Sequence, residues 1–120
     1  MKNPPHIPVL KEEVISHLDI MPAGKYLDCT LGAGGHSFGI LEKLNSSGLL
    51  IGIDSDEKNL QPTHTQFSVF KNIPFSLHHN NFINFPEILD EIKIKKLNGI
   101  LLDLGLSSME LDDNSRGFSY

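Results

Sequence analysis

Gly32, Gly34 and Gly35 close the stretch YLDCTLGAGGHS, and Asp54 follows at the end of the next apolar run. Glycines let a backbone approach a ligand closely, and a helix opening behind such a turn offers N–H groups with no partner inside the helix. An acidic side chain about 20 positions further on suits the hydroxyls of a ribose, and Asp54 has that placement. Phe82 stands just after a third run, and Asp103 ends a fourth. The chemistry open to such a set is the binding of a nucleoside-bearing cofactor, provided that the four stretches lie side by side.

The elements between these residues are of the kind that would align them. From Val9 to Leu18 the apolar residues Leu10, Val14 and Leu18 recur every four positions, which predicts an amphipathic helix ended by Pro22 and Gly24. Tyr26–Thr30 reads as a strand, and Gly35–Leu44 as a helix stopped by Asn45-Ser-Ser-Gly48. Leu49–Ile53 is a second strand ending at Asp54. Residues 55–72 read as helix broken or restarted by Pro62. Phe75–His79 is a third strand, Asn84 and Pro86 announce a helix carrying Ile88, Leu89 and Ile92, and Gly99–Leu104 is a fourth strand. Strands alternating with helices predict a parallel sheet, and strands without in/out alternation predict helices on both faces. The expectation is a doubly wound α/β domain with about four parallel strands. In such a sheet ligands bind beyond the carboxyl ends of the strands, where the strand order reverses.

Three readings of the glycine turn compete. A triphosphate loop is excluded, because no lysine follows the glycines. A dinucleotide site wants G-x-G-x-x-G; Gly32 and Gly34 fit, but the third position is Ser37. The remaining ligand reading is an S-adenosylmethionine pocket, with the turn around the amino-acid part and Asp54 at the ribose. The plain alternative is a tight turn that binds nothing, against which the coincidence of four strand ends counts.

Bulk properties bound the rest. A chain of 120 residues is one domain at most, and 39% hydrophobic content is enough for one core. No stretch approaches the roughly 18 apolar residues of a membrane span, and residues 1–8 do not read as a signal peptide. The single Cys29 excludes an internal disulfide and fits a reducing compartment, the cytoplasm; mid-strand, it reads as a small buried hydrophobe. A net charge of −5 argues against an autonomous nucleic-acid binder. Lys93, Lys95 and Lys96 form a basic cluster that a solvated helix end explains. His6, His17 and His64 are scattered, and His78 and His79 should face opposite ways on one strand, so no metal site is expected. Ser107 and Ser108 suggest a cap or turn, and Asp112, Asp113 and Asn114 beside Arg116 a polar turn. The apolar fourth strand has nothing after it that reads as a covering element, an aggregation liability that suggests the N-terminal part of a longer protein.

Four blocks, HIPVL (His6–Leu10), TLGAGGHS (Thr30–Ser37), IGIDSD (Ile51–Asp56) and GILLDLGLSSMELDDNSRGFSY (Gly99–Tyr120), resemble the MraW/RsmH family in order and spacing. That resemblance implies a Rossmann-like S-adenosylmethionine-dependent methyltransferase acting on the exocyclic N4 amine of a cytosine in small-subunit ribosomal RNA. Family members are more than twice this length, so residues 1–120 would be the N-terminal part of a class I methyltransferase domain, without its substrate-binding insert. The resemblance implies cofactor contacts from Gly34, Gly35 and His36, a ribose contact from Asp54, Phe82 near the adenine, and Asp103 lining the pocket. Where the family has Pro-Gln this chain has Met109-Glu110, so Glu110 takes the place of a cofactor-binding amide. Such a reaction also needs a proton acceptor, for which Asp103 is the candidate. A nicotinamide-dependent oxidoreductase, and a binding module or inactive remnant, are the competing functions.

Overall fold

Both faces of each central strand are apolar, and helices cover both. The computed structural model describes residues 9–32, 34–102, 107–110 and 118–119. In chain order the elements are α1 (Val9–Leu18), β1 (Lys25–Asp28), α2 (Gly35–Leu41), β2 (Leu49–Asp54), α3 (Leu60–Phe67), β3 (Phe75–His79), α4 (Phe85–Glu91), β4 (Lys96–Leu97), β5 (Gly99–Leu102), β6 (Ser107–Glu110) and β7 (Phe118–Ser119).

The main sheet has the order β3-β2-β1-β5-β6, and the short β4 and β7 pair separately. β1, β2, β3 and β5 are parallel. Tyr26 stands opposite Leu50 on one side and Gly99 on the other, so β1 is central. Successive residues divide between the faces. Tyr26, Leu50 and Leu101 pack with Val14, Ile15 and Leu18 of α1, Ile40 and Leu41 of α2 and Phe67 of α3. Leu27, Ile51, Ile53 and Ile100 pack with Ile88 and Leu89 of α4. This is the doubly wound arrangement. Strand order runs outward from β1 through β2 to β3 and then returns to the other side of β1, so the reversal lies between β1 and β5.

Local chemistry sets the boundaries. α1 and β3 occupy the predicted residues. The stretch after β2 is helical over 60–67 only, preceded by a 3₁₀ turn at Glu57–Asn59 in which Asp56 accepts a bond from the Lys58 N–H at 3.0 Å. Pro62 falls in the first turn of α3, where its missing N–H costs no intrahelical bond. α4 begins after Asn84 with Pro86 in its first turn, as expected. Asn84 makes no side-chain capping bond, whereas Asn81 caps the 3₁₀ turn Phe82–Asn84 just before the helix, accepting from the Ile83 N–H at 3.0 Å.

One expectation is corrected. The far side of the fourth parallel strand is not bare: Ser107–Glu110 returns antiparallel along it, with Gly99 opposite Glu110 and Leu102 opposite Ser107. Ser107 and Ser108 therefore belong to a strand, not to a cap or turn. Asp103 and residues 112–116 lie outside the described residues.

Candidate functional site

The carboxyl ends of β1 and β2 meet the loop after β3 around a cleft of about 300 Å³ lined by Thr30, Gly32, Asp54, Ser55, Asn81 and Phe82, with Cys29 and Ile53 in its wall. Its volume is at the lower end of the range for small-molecule pockets, about 300–1,000 Å³.

The glycine turn is fixed by bonds from the Gly34 N–H to the Leu31 carbonyl at 2.8 Å and from the Phe38 N–H to the Gly34 carbonyl at 2.7 Å. Gly34 has φ of 85°, and a Cβ there would stand 3.1 Å from Thr63 Cγ2 and 3.2 Å from Phe67 Cζ. Packing and backbone conformation both require glycine at 34. Gly35 differs: it is exposed, and a Cβ built on it meets nothing within 4 Å. Among the described residues the fold gives no reason for glycine at 35. His36 follows in the first turn of α2, half-buried.

Asp54 is buried, 8% exposed, although it carries a carboxylate. Burial of such a group requires partners. Oδ1 accepts the Asp56 N–H at 2.8 Å, and Oδ2 accepts from Asn59 Nδ2 at 2.8 Å. An ionised carboxylate has about four acceptor positions, so about two remain for a ligand after these bonds. The Asn80 N–H donates to the Asp54 carbonyl at 2.9 Å and ties the loop bearing Phe82 to β2. Phe82 is half-buried on the opposite wall.

The structure thus brings Asp54, Phe82 and Gly32 together on one cleft. Gly34 lies beneath the turn, while Gly35 and His36 begin the helix beside it. Asp103 lies outside the described residues. The backbone of Glu110 is placed in β6, and its side chain is outside them.

Two residues of this region carry roles that sequence reasoning missed. Asp28, 1% exposed, ends β1; its Oδ1 accepts the Thr30 N–H at 3.0 Å and its Oδ2 accepts the Ser37 hydroxyl at 2.6 Å. Ser37, fully buried, is the residue at which the dinucleotide pattern fails. An acidic residue inside an otherwise apolar strand was the available signal. Its charge also acts on a neighbour. Burial, and next the negative charge of Asp28, push the Cys29 thiol up to about 12. Cys29 lies just past the end of β1, not within the strand as expected; it is buried, as expected, although it borders the cleft.

The remaining candidates are peripheral. Lys93, Lys95 and Lys96 are exposed beyond α4. His17 and His64 are exposed on helices. His78 is half-buried within 2.6 Å of Ser76 Oγ, while His79 is exposed and donates to the Ser55 carbonyl at 3.2 Å. Among the described residues no three His, Cys, Asp or Glu side chains are grouped to hold a metal ion, and no described helix is long and apolar enough to cross a membrane.

The model of the MraW methylase family matches residues 3–120. The chain belongs to that family. The ribosomal RNA small subunit methyltransferase H of Clostridium botulinum (strain Okra / Type B1) is 50% identical over 115 residues, which is 96% of this chain and 37% of the relative. The protein of that name from the Hall strain matches with the same identity and coverage. The chain therefore spans about a third of the length of the curated relatives it matches. Among solved structures, a SAM-dependent O-methyltransferase from Thermotoga maritima superposes with a TM-score of 0.64 at 14% identity, over 84% of this chain and 36% of that one. An rRNA methylase from Streptococcus thermophilus gives 0.56 at 17% identity, over 85% and 55%. At such identities these structures establish the fold, a Rossmann-like α/β sheet.

Proposed function

We propose that the chain is the cofactor-binding part of an S-adenosylmethionine-dependent methyltransferase that modifies the exocyclic N4 amine of a cytosine in small-subunit ribosomal RNA. The observation that carries the cofactor reading is the cleft at the carboxyl ends of β1 and β2, lined by Gly32, the buried Asp54 and Phe82, with the open Gly35 beginning the helix beside it. The fold requires glycine at 34 but not at 35, so clearance for a ligand is the remaining reason for it. The RNA substrate rests on family membership and on the name of the relatives, ribosomal RNA small subunit methyltransferase H.

On this reading the remaining acceptor positions of Asp54 take the ribose hydroxyls, and Phe82 flanks the adenine. Gly34, Gly35 and His36 border the methionine moiety, with Asp103 and Glu110 completing the pocket. A carboxylate at 110 would repel the ligand's own carboxylate and would serve an amine or hydroxyl instead. When bound, S-adenosylmethionine supplies an electrophilic methyl group on a sulfonium. The cytosine amine is a weak nucleophile because its lone pair is delocalised into the ring. Its orientation, with reacting atoms about 3–3.5 Å apart, is the main task left to the protein. Asp103, the residue after β5 in sequence, is the candidate to accept the proton that the amine sheds. The base must be presented unstacked, as single-stranded RNA allows.

A cofactor-binding module without transfer activity is the second reading, favoured by a net charge of −5 that suits nucleic-acid binding poorly. Transfer of labelled methyl groups to isolated small ribosomal subunits separates the two. Label on a cytosine supports the methyltransferase, whereas unlabelled RNA with a cofactor-saturated chain leaves only the module.

A further inference from the structure

The hydrogen bond between Asp28 and Ser37 joins the end of β1 to the first turn of α2, directly across the glycine turn. The glycine turn therefore lies between two residues that are bonded to each other. In a dinucleotide fold the third glycine lets the helix pack close to the strand. Here a hydroxymethyl group occupies that place without any exposure, and its hydroxyl straps the helix to the strand. The acceptor is a carboxylate, whose hydrogen bonds are stronger than those of a neutral group. It also places a negative charge behind the turn, in surroundings that screen it little.

We infer that Asp28 and Ser37 are the positioning and charge-selecting pair of this site, their bond setting the glycine turn and the carboxylate favouring a ligand that is cationic at sulfur over one carrying a pyrophosphate. This rests on the cofactor reading above and adds to it the device that chooses between the two nucleoside ligands compatible with the turn. Cys29, the residue next to Asp28, borders the cleft, so the carboxylate stands one residue from the cleft wall. Neither residue need touch the ligand.

Geometry and charge are separable. Asp28→Asn keeps the shape and a hydrogen bond to Ser37 but removes the charge. Ser37→Ala keeps the charge and removes the strap, and Ser37→Thr restores the hydroxyl. S-Adenosylhomocysteine has the adenosine and amino-acid parts of S-adenosylmethionine with an uncharged thioether in place of the sulfonium. Calorimetric titration of the chain and these three variants with both ligands tests the inference, with thermal melts to establish folding. Asp28→Asn is expected to weaken S-adenosylmethionine about tenfold more than S-adenosylhomocysteine, the scale of one charge-assisted contact. Ser37→Ala should weaken both ligands about equally, by roughly tenfold, and Ser37→Thr should recover most of that loss.

If Asp28→Asn does not fold, the double variant Asp28→Ala/Ser37→Ala removes both partners of the strap, although the Thr30 N–H loses its acceptor, and should show the same change of ratio. A pair that served stability alone would move melting temperatures without moving that ratio. Equal losses for both ligands in the charge-free variants overturn the inference, as does Ser37→Ala binding like the wild type. A wild type that binds neither ligand overturns the cofactor reading itself, and this inference falls with it.

Discussion

The ends of β1 and β2 are built on one local device and serve different ends. Asp28 and Asp54 each accept the backbone N–H two residues further on, at 3.0 and 2.8 Å, the turn that short carboxylates favour. They part at the second oxygen. That of Asp28 is taken by a buried hydroxyl on α2, which seals it inside the fold. That of Asp54 is taken by the Asn59 amide in the 3₁₀ turn that follows, while Asp54 itself lines the cleft. Gly34 and Gly35 repeat the contrast one residue apart. One is demanded by packing, and the other faces open space. Adjacent residues of one motif thus divide between holding the turn and leaving room beside it.

Substitutions that treat the members of each pair alike should break them apart. The largest effect is expected at Gly35→Asp, which adds a side chain and a negative charge where the fold has space. Its stability should stay within about 0.5 kcal/mol of the wild type, as for an ordinary surface change. Its affinity for S-adenosylmethionine by calorimetry should fall by about 100-fold or more, roughly 2.7 kcal/mol. Unchanged affinity would remove Gly35 from the site. Next comes Asp54→Ala, which deletes a charged hydrogen-bonding group; a loss of about 2 kcal/mol in cofactor binding is expected, together with a smaller fall in melting temperature.

Gly34→Ala should reverse that order. A left-handed conformation costs a non-glycine residue about 1–2 kcal/mol, and the new Cβ must also displace Thr63 or Phe67. The melting temperature should drop by about 4 °C per kcal/mol. A melt unchanged from the wild type would contradict the packing account.

Smaller still are two titration effects. With its thiol at about 12, Cys29 holds about one thiolate in 10,000 at pH 8, so alkylation of the folded chain should be slow. Asp28→Asn removes one of the two causes and should speed it; an unchanged rate in a folded variant would mean that the charge does not reach the thiol. At the end of β3, burial holds His78 below its ordinary range, with the charge of Glu91 partly opposing. The unfolded chain then binds more protons than the folded one just below pH about 6.5, so stability falls as pH drops from there and is unaffected above it. His78→Gln should flatten that slope in melts recorded from pH 7 to 5.

The order of elements and the doubly wound arrangement were legible because both faces of the central strands are buried. A strand buried on both sides must be apolar throughout, and that leaves an unmistakable run in the sequence. β6 was not legible for the complementary reason. Ser107–Glu110 pairs along one side only and interleaves serine with methionine and glutamate, so no hydrophobic run announces it. Helix ends were blurred where single proline or asparagine residues act. Pro62 sits inside a helix at a position where the backbone bond is dispensable, and Asn81 caps a 3₁₀ turn that precedes α4. At the site, the strand-end positions of Asp54 and Phe82 could be read from spacing. The Asp28–Ser37 bond could not, since it joins two residues whose approach depends on the packing of α2 against β1.

The most direct test of the account is the thermal melt of the chain alone, with excess S-adenosylmethionine, and with excess NAD. A ligand at about 100 times its dissociation constant adds about 2.7 kcal/mol of stability. The account predicts a cooperative melt that rises with S-adenosylmethionine and is unmoved by NAD. A melt that rises with NAD, or with neither ligand, would contradict it.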